Sequence, residues 1–189
     1  ANVHDFGILH IMNDDKPWYY TIMEKGKAHM GDEIVSLIKK NTEKKKLVSL
    51  VEKMILSILN AIEFMGNMVH LNIKPENILV MPYNESDFSD IAFKLIDFDF
   101  MVNKREIKSW NQSSHQKYHY YPRNDVKGSK LYDLWGLVIT VIKILFTIRF
   151  EKDYMGIEES SKGVEELIKK GYLKECLKRV SGGLTSVKI

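Results

Sequence analysis

The chain has 189 residues, 44% of them hydrophobic and 28% charged, the make-up of an ordinary globule with material for one main core. A formal net charge of only +3 leaves no broad electrostatic footprint for nucleic acid, and the single cysteine, Cys176, excludes an internal disulfide and fits a cytoplasmic or otherwise reducing compartment. Neither a signal peptide nor a membrane anchor is expected, because the longest apolar run, near Leu137 to Phe146, is interrupted by Lys143.

His4 to Met12 and Trp18 to Met23 are β-type runs separated by the turn chemistry of Asn13-Asp14-Asp15-Lys16-Pro17, which predicts a hairpin. Glu24-Lys25-Gly26 breaks that pattern. A short amphipathic helix starts at Gly31 or Asp32, turns Ile34, Leu37 and Ile38 inward and ends at Lys39-Lys40-Asn41. The run Lys44-Lys45-Lys46 reads as the solvated start of a longer helix. In that helix Leu47, Leu50, Val51, Met54, Ile55, Ile58, Leu59, Ile62 and Met65 recur at helical spacing until Gly66-Asn67 stops it. Pro82 to Ala92 is polar and reads as a connector without chemistry of its own. Ser129 to Phe146 predicts a helix that is apolar nearly all round and therefore buried. Two short helices are expected near Lys162 to Lys170 and Leu173 to Val180.

The chemistry concentrates between Met68 and Phe100. The first polar cluster is His70-Leu71-Asn72-Ile73-Lys74-Pro75-Glu76-Asn77, and the second is Asp97-Phe98-Asp99. Ile78 to Met81 and Phe93 to Ile96 are short apolar runs that read as strands. Two strands joined by a polar loop would bring Asn77 and Asp97 together. Their amide and carboxylate oxygens suit a hard cation such as Mg²⁺, with Lys74 adding positive charge at the same mouth. His115, His119 and the nearby tyrosines lack a cysteine or a helical ligand spacing, so a metal or nucleic-acid cluster there is not expected.

These two clusters, in this order and with strands between them, resemble the catalytic loop (His-Arg-Asp-x-Lys-Pro-x-Asn) and the metal-binding loop (Asp-Phe-Gly) of eukaryotic-type protein kinases. The resemblance covers roughly residues 1 to 150 and implies an α+β, protein-kinase-like fold: a mainly helical large lobe with a small remnant β hairpin of the small lobe. Residues 1–26 would be the remnant strands and hinge, and 27–189 the large lobe, shortened after 150. Met23 would be the gatekeeper, and the Glu24 carbonyl and Gly26 amide would face an adenine. Asn77 and Asp97 would hold metal, and Lys74 would serve nucleotide and catalysis. His70, Phe98, Asp133 and Trp135 would be structural, with the Asp133 carboxylate accepting backbone N–H bonds from the His70 loop. The twenty-five or so residues after Asp97, with Ser109, Ser113, Ser114, Tyr118, Tyr120 and Tyr121, occupy the place of an activation segment.

The departures bear on activity. Asn72 stands where the family has its catalytic aspartate, Leu71 where it has arginine, and Asp99 where it has glycine. An amide can orient a hydroxyl but cannot become its conjugate acid. Without the arginine, a phosphorylated segment has no guanidinium to pair with at this site. The family's Ala-Pro-Glu appears only as Tyr121-Pro122-Arg123, and no Gly-x-Gly-x-x-Gly or Val-Ala-x-Lys strand occurs in these residues. The resemblance thus implies a pseudokinase-like regulatory or interaction module, catalytically impaired, with a weak site for Mg²⁺ and ATP. A weak or complemented serine/threonine protein kinase is the alternative, and Asp97-Phe98-Asp99 is also similar to small-molecule kinases of the aminoglycoside type. A lone hairpin is marginal in water. Phe6, Ile8, Ile11, Trp18, Tyr20 and Ile22 would be partly uncovered, so a protein partner is expected near residues 3 to 23, whether another kinase, a second copy or an upstream segment.

Overall fold

The computed structural model describes residues 3–9, 17–105 and 131–151. From residue 106 the expected activation segment, with its serines and tyrosines, His115, His119 and Tyr121-Pro122-Arg123, lies outside the described residues, as do Ile11 and the two short helices past residue 160.

The two β-type runs at the start of the chain become β1 (Val3–Leu9) and β2 (Trp18–Met23), paired antiparallel from Phe6↔Thr21 to Leu9↔Trp18 with an irregularity between Val3 and Asp5. Residues 24–27 form a strap that leads to β3 (Ala28–His29) and α1 (Met30–Lys39), whose first turn carries Asp32 and Glu33, the charge sign a helix N-terminus favours. Asn41 ends α1 in the left-handed region at φ 56°, where an Asn is tolerated. The long period-3.6 run becomes α2 (Lys44–Phe64), and Gly66, at φ 60°, closes it. Then follow β4 (Met68–Val69), a single 3₁₀ turn (Pro75–Asn77), β5 (Ile78–Val80), β6 (Phe93–Leu95), β7 (Val102–Asn103) and α3 (Leu131–Phe150).

The core is built on α2. Leu47, Leu50, Val51, Met54, Ile58 and Ile62 are buried against Met30, Ile34 and Leu37 of α1, Ile78, Val80, Phe93 and Leu95 of β5 and β6, and Leu137, Ile144 and Ile148 of α3. Each such side chain contributes about 1.5–3 kcal/mol by leaving water, so this face dominates the stability of the domain. Lys44 at the start of α2 pairs with Glu151 just past the end of α3 at 2.7 Å, while the loop after α2 bonds to Asp133 near the start of α3. The two helices therefore run in opposite directions. This gives Lys44 a defined partner in what the sequence reads as a purely solvated charge run.

Two small sheets frame the loop between them. β5 pairs with β6 and with β3, Ile78 lying opposite Leu95 and Ala28 opposite Val80. β4 pairs with β7, Val69 opposite Val102, and the Lys104 N–H donates to the Asn67 carbonyl at 2.9 Å. The chain thus leaves and re-enters the same strand pair on either side of its two polar clusters.

Three expectations need correction. Leu59 is 37% exposed, so the α2 stripe is narrower than its apolar residues suggest, and Leu56 and Phe64 also face outward. α3 is not buried all round, because Trp135 and Val138 lie on an open side. The connector 82–92 is not inert: Phe88 is buried, and Tyr83 and Glu85 join an ion cluster described below. No described helix is long and apolar enough to cross a membrane.

Gly136 marks where α3 meets the loop after β4. A Cβ there would stand 2.9 Å from the Ile73 carbonyl oxygen and 3.3 Å from the Ile73 Cβ. Alanine favours a helix over glycine by about 1 kcal/mol, but overpacking against fixed backbone costs about 1–3 kcal/mol. Gly136→Ala is therefore expected to lower stability by up to about 2 kcal/mol despite its better propensity, read as a lower midpoint in chemical denaturation.

Candidate functional site

His70 is the hub of the site. It is fully buried at the end of β4, its N–H donates to Asp133 Oδ2 at 2.9 Å, and the next N–H, of Leu71, donates to Asp133 Oδ1 at 2.9 Å. One carboxylate of α3, itself 1% exposed, thus satisfies two consecutive amides that no strand could pair. The bond geometry is what the sequence resemblance implies for Asp133. Leu71 is held at φ 60°, a strained conformation for a branched residue. Its side chain is buried with Val69 and Tyr132, beside Phe100 and Val102, so apolar packing replaces the guanidinium expected at this position in the family pattern.

The His70 ring is committed at both nitrogens. Nδ1 accepts the Asn72 N–H at 3.2 Å, which places the proton on Nε2, 3.1 Å from the Ile96 carbonyl that it donates to. The ring packs against Phe98 at 4.8 Å between centroids. In this way the residue before Asp97 and the ring after it are both fixed by the first polar cluster.

Asn77 and Asp97 meet as the two strands and polar loop predict, and Asn72 joins them. The Asn72 amide donates to Asp97 Oδ2 at 2.6 Å, and the Asn77 amide donates to the same oxygen at 3.0 Å and to the Asn72 carbonyl at 2.9 Å. Ile96 N–H donates to the Asn77 carbonyl at 3.1 Å, so backbone joins the two loops as well. Asp97 sits at φ 64°, a region aspartate tolerates better than most residues. The side-chain oxygens not engaged by these amide bonds are Asp97 Oδ1, Asn77 Oδ1 and Asn72 Oδ1. Three oxygens, one of them charged, fall well short of the roughly six a hard cation takes, and no group of three His, Cys, Asp or Glu side chains is placed to hold a metal among the described residues. The donor set fits a cation held weakly, with most of its shell supplied by water or ligand. Lys74 precedes the 3₁₀ turn, and its carbonyl accepts the Asn77 N–H at 3.0 Å.

The strap lies beside this centre. Glu24 pairs with Lys94 of β6 at 2.6 Å, the Lys27 N–H donates to the Val80 carbonyl at 2.8 Å, and Gly26 lies against Leu79. Met23 ends β2 and is 36% exposed.

Sequence reasoning missed a second cluster. Lys27 pairs with buried Glu33 at 2.9 Å and with Glu85 at 2.7 Å, and its Nζ stands 4.1 Å over the Tyr83 ring. Tyr83 O–H donates to Glu33, and Lys40 reaches Glu85 at 2.8 Å. Burial alone would lower the Lys27 pKa, but the bonds to Glu85 and Glu33 outweigh it and raise it. Burial and Glu33 push the Tyr83 hydroxyl up to about 12, and Lys27 and Lys40 hold Glu85 down to about 2. The residues are spread over 58 positions, from Lys27 to Glu85, so no local motif announces them.

Burial pushes the His70 imidazole below its ordinary value, against the opposing pull of the Ile96 carbonyl and the Asp97 charge. Below pH 6.5 the unfolded chain therefore binds more protons than the folded one. The stabilisation from neutral His70 is complete above that pH and is lost as pH falls through it towards the folded-state value. Melting temperature is expected to decline as pH falls below about 6.5, and His70→Gln should be less stable at neutral pH but flatter across that decline. A wild-type slope that the substitution leaves unchanged would assign the titration to another group.

No protein-family model matches this chain and no curated protein matches it, so the functional reading rests on the site's own geometry.

Proposed function

We propose that this chain is a pseudokinase-like regulatory or interaction module, catalytically impaired, that keeps part of a site for Mg²⁺ and ATP. The observation that carries this reading is the position of Asn72. Its amide lies against Asp97 where the family pattern has the carboxylate that receives the substrate's proton. Support for the kinase-like arrangement comes from the convergence of the two clusters, the Asp133 bonds to His70 and Leu71, and the strap seated against β5 and β6. General-base help is worth about 10²–10⁴-fold, and an amide cannot supply it.

Asn77 and Asp97 would hold the cation, which would bridge and partly neutralise the phosphates of a bound nucleotide. With one carboxylate oxygen and only neutral amide oxygens beside it, binding is weak. Millimolar Mg-ATP is expected to raise the melting temperature by no more than about 1–2 °C, without phosphate transfer to a peptide. Combined Asp97→Ala and Asn77→Ala should abolish the shift. A shift that survives both substitutions would place the nucleotide elsewhere, and transfer lost only on Asp97→Ala would make the chain an enzyme.

The interaction role rests on the hairpin. β1 and β2 pack mainly on one another, and Phe6, Ile8, Trp18, Tyr19 and Ile22 are all more than half exposed. Cross-strand pairing puts Phe6, Ile8 and Tyr19 on one face and Trp18 and Ile22 on the other, so both faces are apolar. Two strands with no covered face are marginal alone, and a protein partner that adds a strand here would bury this surface. Amides of residues 3–9 and 18–23 are expected to exchange rapidly in the isolated chain. A strict monomer by light scattering, with those amides strongly protected, would overturn the partner assignment.

A further inference from the structure

Asp97 is held by amides on two sides. The Asn72 Nδ2 stands 2.6 Å from Asp97 Oδ2, at the short end for an N–H···O bond, and the buried Asn77 brings a second N–H to the same oxygen at 3.0 Å. The Asn77 amide also reaches the Asn72 carbonyl at 2.9 Å, so the three residues form a closed circuit. Backbone fixes the circuit from outside, through Ile96 N–H to the Asn77 carbonyl at 3.1 Å and the Ile96 carbonyl to the His70 ring at 3.1 Å.

An amide N–H presents positive charge density to the lone pairs a cation would use. We propose that the Asn72 side chain stands in for a divalent cation on Asp97: it keeps the carboxylate ordered without an ion, and it is what weakens cation binding at this site. The inference rests on the reading of Asn77 and Asp97 as oxygen donors to a cation. A divalent ion entering here must displace the Asn72 N–H from Oδ2 or make do with Asp97 Oδ1 and the neutral amide oxygens of Asn77 and Asn72. A carboxylate at position 72 would reverse the situation, adding an oxygen donor and a charge where a hydrogen-bond donor stands. Cation affinity follows the number of charged ligands and the rigidity of the site, and the backbone bonds already supply the rigidity.

The test uses the full chain and Mn²⁺ alone, with binding followed by loss of the free-ion electron paramagnetic resonance signal. Asn72→Asp is expected to tighten Mn²⁺ binding at least about tenfold, and Asn72→Ala, which removes the donor without adding charge, about two- to fivefold. Both gains should vanish when Asp97→Asn is added. If both variants bind Mn²⁺ no better than the natural chain, Asn72 is not the block. If Asn72→Ala binds less tightly, Asn72 serves as a ligand, and the proposal is overturned. A gain that survives Asp97→Asn puts the ion elsewhere and sinks the proposal too. Should Asn72→Asp fail to fold because two carboxylates meet, Asn72→Ala decides alone. The nucleotide reading fails separately, through Mg-ATP melting shifts that ignore Asp97 and Asn77.

Discussion

The described structure depends on one buried carboxylate. Asp133 lies on a mainly apolar helix and is 1% exposed, a placement that costs several kcal/mol unless the charge is hydrogen-bonded. It is compensated by the N–H groups of His70 and Leu71, one on each oxygen, at 2.9 Å. The benefit is mutual, because the turn that carries those amides has Leu71 at φ 60° and could not bond them into a ladder. Gly136, one helical turn further along, lets the Ile73 carbonyl approach the helix closely enough to lock the other end of the same turn. A carboxylate and an absent side chain on one face of α3 therefore set the path of residues 70 to 73, and everything at the site follows from that path.

From that fixed turn the order spreads outward through neutral donors. His70 bonds forward to the Asn72 N–H and across to the Ile96 carbonyl, and Asn72 then closes on Asp97. The circuit is complete with the imidazole uncharged and a single carboxylate. The side-chain amide at position 72 is turned towards Asp97, and its N–H holds that carboxylate.

Much of this was legible in the sequence, and for identifiable reasons. The helices α1 and α2 follow from apolar spacing, their ends from Asn41 and Gly66, and the meeting of Asn77 with Asp97 from two short apolar strands joined by a polar loop. The bonds from Asp133 to the His70 loop were implied by the resemblance alone. What remained hidden has no local signature. Glu33, Tyr83 and Lys27 come together only because α1 and the 82–92 connector are packed side by side, and each alone reads as surface polarity. Leu59 and Leu56 carry the same apolar character as Ile58, so only tertiary packing decides which of them is covered. The role of Leu71 was read as a loss of arginine; its packing with Val69 and Tyr132 shows it as a gain of core.

The chain changes character at Glu24. Before it, large apolar side chains of β1 and β2 face water on both sides of a two-stranded ribbon. After it, the backbone is tied at short intervals: Glu24 to Lys94, Lys27 to Val80, Ala28 and His29 to β5. Lys94 precedes Asp97 by three residues on β6, so the first anchor of the strap is also a neighbour of the site. A Glu–Lys pair that is partly shielded from water is screened less than one on the open surface. The hairpin and the Asp97 site are thus linked in sequence and contact through Glu24, Lys94 and β6, with the apolar surface of β1 and β2 at the far end of that path.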